Sequence, residues 1–137
     1  MRHQLAAAIA FLTLAVSAVP LRAHHVFEGK YDKTKPVHLT GTVTATEWHN
    51  PHAFIRIAVG SGSTLMTWVI TCGSPVALER MGLTADLLKA GTEVTVDAYR
   101  YKNIANWADG VTLTLKDGRK VPLSVTLVRD GAQVMSR

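Results

Sequence analysis

Hydrophobic positions along the chain fall into period-two blocks separated by breaks rich in glycine and proline, which is the pattern of a β domain. Val37, Leu39, Gly41, Val43 and Ala45 alternate with His38, Thr40, Thr42, Thr44 and Thr46, predicting a long, half-buried strand with the first set inward. Gly41 inside this run marks a bulge or a sharp coil of the strand. After the Asn50-Pro51 break, Ala53, Ile55, Ile57 and Val59 alternate with Phe54, Arg56 and Ala58 as a second strand, which ends at Gly60-Ser61-Gly62-Ser63. Leu65 to Cys72 is apolar on both faces and predicts a central third strand.

The period then changes. Ser74 supplies a capping hydroxyl before Pro75, Leu78 and Met81 fall on one side, and Gly82 is the stop, so a short helix is expected. Thr84 opens a second helical turn, with Asp86 in its first turn, a Leu83 to Leu88 staple, and Gly91 as its close. Alternation returns from Glu93 to Tyr101, with Val94, Val96 and Ala98 inward, as a fourth strand. Val111, Leu113 and Leu115 are then set to pair with Val121, Leu123, Val125 and Leu127 across the turn Lys116-Asp117-Gly118-Arg119. Three strands, a helical segment and two or three more strands is the order of the five-stranded Greek-key OB barrel. The expected fold is therefore mainly β, a small OB-like barrel with one short helical segment between strands three and four. An immunoglobulin-like sandwich fits less well, because it has no natural place for a helix after the third strand.

The start of the chain is of another kind. Met1-Arg2-His3-Gln4 is basic, and Leu5 to Val16 is an apolar run too short to span a bilayer, so residues 1–23 read as a cleavable signal peptide. Cleavage after Ala23 is favoured over cleavage after Ala18, since Pro20 breaks the helix just ahead of it. The mature chain would then begin at His24-His25, with 24–36 as an extended arm, 37–128 as the barrel and 129–137 as a tail. A periplasmic or secreted protein with no membrane-spanning segment after cleavage is expected.

Composition sharpens this only a little. The 137 residues carry 15 Lys and Arg against 10 Asp and Glu, and removal of Arg2 and Arg22 with the leader leaves a net charge of +3. The basic residues are scattered, with no stripe to track a phosphate backbone, so nucleic acid is not an expected partner. Cys72 is the single cysteine, so the fold must hold without an internal disulfide. There is no Gly-rich phosphate loop, nucleophile elbow or paired-carboxylate pattern, and the expectation is a protein that is not an enzyme.

Four segments, His24-His25, Trp48-His49-Asn50-Pro51-His52, Gly73-Ser74-Pro75 and Asp117-Gly118-Arg119-Lys120, resemble those of a family of bacterial exported proteins classified as a domain of unknown function. The resemblance spans essentially all of residues 23 to 120. It implies a small periplasmic-type β domain and supplies no established activity. Two positions depart from it: the family often has an acidic residue where Thr71 stands, and Cys72 is not a usual member of its pattern.

Two sets of residues are candidates for function. If the chain starts at His24, its α-amino group and imidazole can chelate one metal ion, and His49 and His52, flanking the proline turn, add nitrogen donors, with His25 as a further ligand. Three or four nitrogens favour copper, the one cofactor expected; the bland alternative is that these histidines are terminal and turn residues. Cys72 alternates with Trp68 and Ile70 and reads as a small buried hydrophobe rather than a thiolate ligand, and Met66 and Met81 read as core filler. The second set is Tyr99, Tyr101 and Trp107, a platform for an envelope protein or a glycan, with Asn103, Asn106 and Asp109 forming a polar loop around Trp107. The leading expectation is a histidine-bound copper protein, and the alternative is a metal-free binding or structural module.

Overall fold

The computed structural model describes residues 30–124. The expected signal peptide, His24 and His25, the strand partners Val125 and Leu127, and the C-terminal tail lie outside the described residues. The described chain is mainly β, with six strands: β1 (Tyr31–Glu47), β2 (Phe54–Val59), β3 (Met66–Thr71), β4 (Glu93–Tyr101), β5 (Trp107–Leu115) and β6 (Lys120–Pro122). One short helix, α1 (Pro75–Arg80), stands between β3 and β4 and is followed by a 3-10 turn at Ala85–Leu88. No helix among the described residues is long and apolar enough to cross a membrane.

The pairings run in a ring. β1 pairs antiparallel with β2 and with β4, β2 with β3, β4 with β5, and a short parallel ladder joins β3 to β5. β6 adds to the part of β5 that β3 leaves open, with Leu113 opposite Val121. A mainly β sheet with one short helix between β3 and β4 is the arrangement that the order of elements implied. Its inward residues, among them Val43, Ile55, Ile57, Ile70, Val96, Leu113 and Leu123, form one core cluster.

One end of the core is plugged by the helical segment. Ser74 caps α1 by accepting from the Ala77 N–H, Pro75 occupies the first turn, and Leu78, Leu83 and Leu88 are all sealed in the core. Trp48, just past β1, donates its indole N–H to Glu79 at 3.2 Å and ties that helix to the sheet. The Arg100 guanidinium lies 5.2 Å from the ring centroid of the buried Trp68.

Several boundaries depart from the hydrophobic pattern. β1 begins at Tyr31, so residues 31–36 of the expected arm are strand, pairing at Tyr31 and Pro36 with Tyr101 and Tyr99. Their side chains are mostly exposed, which leaves no apolar alternation to read. The bulge in β1 is at Thr44: Val43 faces Ile57 and Ala45 faces Arg56, so the phase flips and Ala45 turns outward. Gly41 instead allows close approach, since a Cβ there would strike the Ala58 carbonyl. A second bulge leaves Val111 without a β4 partner and turns it out against Tyr31, away from Leu113 and Leu115. The start of β3 is not central, because Leu65 and Met66 are exposed, and Met66 is therefore not core filler.

Gly41→Ala is expected to cost about 1–3 kcal/mol, because the collision is with main chain that cannot rotate away. Urea unfolding monitored by tryptophan fluorescence measures it.

Candidate functional site

One row of paired residues crosses four strands on the outer surface. Phe54 of β2 lies opposite Thr71 of β3, Thr71 opposite Asp109 of β5, and Asp109 opposite Tyr99 of β4. Directly paired residues share a face. The flanking Ile55, Ile70 and Ala98 point into the core, so this row points out.

Aromatic rings extend the row at both sides. Phe54 meets Trp107 edge-on with centroids 6.1 Å apart, and Trp107 lies 6.0 Å from Tyr101. Tyr99 stacks on Tyr31 at 6.3 Å, with 17° between the planes. His49 joins through Phe54, its ring centroid 6.1 Å away. Phe54 directly follows the β1–β2 loop and Trp107 directly follows the β4–β5 loop, so the contact between their rings brings both loops to one place. In OB folds the corresponding loops border the binding face.

Polar groups are held beneath these rings. Thr71 is buried and accepts a 2.8 Å hydrogen bond from the Trp107 indole N–H, and its hydroxyl also pairs with the Tyr101 phenol. Asp109 is only 9% exposed, and burial pushes its carboxyl up to about 7. Among the described residues no donor or cation pairs with it. Burial also raises the Tyr101 phenol, opposed by the Thr71 hydrogen bond and reinforced by the nearby Asp109. On the opposite side of β3, Cys72 is sealed in the core, and burial followed by the charge of Asp109 pushes its thiol far up.

The two sets of candidates fare differently. Tyr99, Tyr101 and Trp107 come together on one face, although Tyr101 is turned towards Trp107 and Thr71 while Tyr99 is turned towards Tyr31. The expected polar loop around Trp107 is a correction: Trp107 and Asp109 are already strand β5, and Asp109 is buried under the rings. Phe54 and Thr71 were not among the candidate site residues, and Asp109 was placed in a loop rather than on a strand. The alternation of Phe54 with Ile55 was a usable signal for the first, but no local pattern announces a buried acid on an outer face.

His49 and His52 are on the β1–β2 loop that borders this face. His49 has a side chain 60% exposed, with Nε2 3.5 Å from a Glu47 carboxylate that also binds Arg56. His52 is half-buried, and its Nδ1 lies 3.0 Å from the Cys72 carbonyl oxygen, where only a donating N–H is useful. Between them the Asn50–Pro51 bond is cis. Among the described residues no three His, Cys, Asp or Glu side chains gather to hold a metal ion.

The raised carboxyl of Asp109 sets a sign for the pH dependence of stability. Its folded value lies above the unfolded one, so its contribution is intact below about pH 4 and is lost as pH rises through about 7. Three units correspond to a loss on the order of 4 kcal/mol. Asp109→Asn is expected to flatten this slope and to be more stable than the unsubstituted chain at pH 8, as read from denaturant midpoints at pH 4, 6 and 8.

No curated protein and no solved structure matches the chain. Residues 10–110, well over half of the chain, match the model of a family of unknown function, DUF6152, and the chain belongs to that family.

Proposed function

We propose that this chain is an exported, non-catalytic binding module that holds a glycan on its outer face, across Phe54, Trp107, Tyr101 and Tyr99. The observation that carries this reading is the continuous run of rings His49, Phe54, Trp107 and Tyr101, set where the β1–β2 and β4–β5 loops meet. The rings are inclined to one another, by 84° between Phe54 and Trp107 and by 51° between Trp107 and Tyr101, so they line a faceted surface whose separate faces and edges fit the apolar faces of sugars, and the Thr71 and Asp109 oxygens fit hydroxyl or amino groups. Trp107 is held in place by its hydrogen bond to Thr71 and by two neighbouring rings, so a ligand meets a surface that is already ordered. A stacked ring is worth on the order of 1–3 kcal/mol in single-strand binders of this fold, so Trp107→Ala is expected to weaken binding by about tenfold or more. NMR titration with N-acetylglucosamine oligomers checks this. Shifts confined to residues away from Phe54, Tyr101 and Trp107, or binding indifferent to Trp107→Ala, would sink it.

A second reading is a copper site at the same edge, using His24, His49 and His52, with His25 as a further ligand. The contact of His52 Nδ1 with the Cys72 carbonyl favours it, because that hydrogen bond fixes the tautomer whose lone pair is on Nε2, as histidine ligands of metals require. The donor set of neutral nitrogens fits Cu(II). Native intact mass of protein exported and purified without chelator is expected to show a chain starting at His24 with one copper, and His52→Ala is expected to lose it. A metal-free spectrum, or copper that survives loss of both His49 and His52, rejects this reading.

A further inference from the structure

Among the described residues, the outer face holds a carboxyl group with no counter-ion. Buried carboxyls are ordinarily paired with a cation or with several donors, because leaving water is costly for the ionised form. Asp109 is nine-tenths buried and has neither kind of partner among the described residues. The groups that face it are Thr71 from β3, Tyr99 and Tyr101 from β4 and Trp107 from its own strand, and none of them carries positive charge. Thr71 is already engaged by Trp107 and Tyr101. Cys72, the other titratable group that senses the charge, points into the core on the opposite face.

Two details make this a place for a ligand rather than a sealed defect. Asp109 keeps 9% of its surface open on the outer face, so it is not sealed off as Trp68 Nε1 is. The surrounding groups are also of one electrostatic kind. Ring faces are negative and attract cations, and a carboxylate among three such rings attracts them more strongly.

We propose that the glycan held by the outer face carries a free amino group, and that its ammonium pairs with Asp109 between Trp107 and the two tyrosines. This rests on the glycan-binding reading of that face and adds the charge of its ligand. Only a proton moves: an ammonium that arrives stabilises the carboxylate, and the carboxyl O–H of the fraction of Asp109 that is protonated near neutral pH gives its proton to water or buffer. The same step gives the buried acid a partner that it lacks among the described residues.

Calorimetric titration of the full mature chain at neutral pH with a glucosamine trimer and with its fully N-acetylated counterpart tests the proposal, since the two differ only in charge and acetyl groups. The trimer with free amines is expected to bind about tenfold more tightly, and Asp109→Asn to remove that preference. Repeating the titration in buffers of different ionisation enthalpy is expected to show proton release for the amine trimer alone. Equal affinity of the two trimers, or a preference that survives Asp109→Asn, overturns the proposal while the glycan-binding reading stands. If neither trimer binds, both are overturned.

Discussion

Three parallel residue pairs, Val69 with Trp107, Ile70 with Ala108 and Thr71 with Asp109, join strands that are distant in sequence. Without them β3 would have one paired edge and the ring would be an open sheet, with main-chain donors and acceptors left to water or to another chain. With them, Ile70 and Ala108 are drawn to the same core, where Gly110 leaves room: a Cβ there would sit 2.6 Å from Leu123 and 2.9 Å from Ile70. The same ladder sets Trp107 over Thr71 and places Asp109 between Thr71 and Tyr99. The join that completes the core therefore also sets the aromatic and acidic residues of the outer face in their row.

Much of the architecture was legible because burial on one face of a strand writes itself as alternation. β4 runs over the residues its pattern marked, Glu93 to Tyr101, and the Ser74-Pro75 start of the helix is a local chemical signal that needs no tertiary context. The parts that could not be read depend on partners far away in sequence. Residues 31–36 are strand because β4 and the Tyr31–Tyr99 stack hold them, while their own side chains show no period. The bulges at Thr44 and Val111 each insert one residue and reverse the phase of the strand beyond it, so a strict count by twos put Ala45 and Val111 on the wrong side.

The site divides along the same line. Tyr99 and Tyr101 were recognisable as aromatic residues at strand positions where a core did not need them, and Trp107 as an aromatic nearby, although in a loop rather than at the start of β5. Asp109 was not, because an acid beside Asn103, Asn106 and Gly110 has the composition of a turn, and only the pairing with Thr71 and Tyr99 buries it. His49 and His52 were legible as a pair flanking a proline. Their separate surroundings, a carboxylate for one and a main-chain carbonyl for the other, were not.

The lone cysteine acquires a different meaning from its place in the barrel. Cys72 is 2% exposed, and both desolvation and the charge of Asp109 oppose formation of its thiolate, the form that reacts with oxidants and alkylating reagents. Its chemistry is thus withheld while the seam is shut and available once β3 parts from its neighbours. Alkylation of that sulfur would follow the opening of the barrel rather than the concentration of reagent whenever capture outpaces reclosure, which makes Cys72 a built-in clock for the motion that unseals the ring.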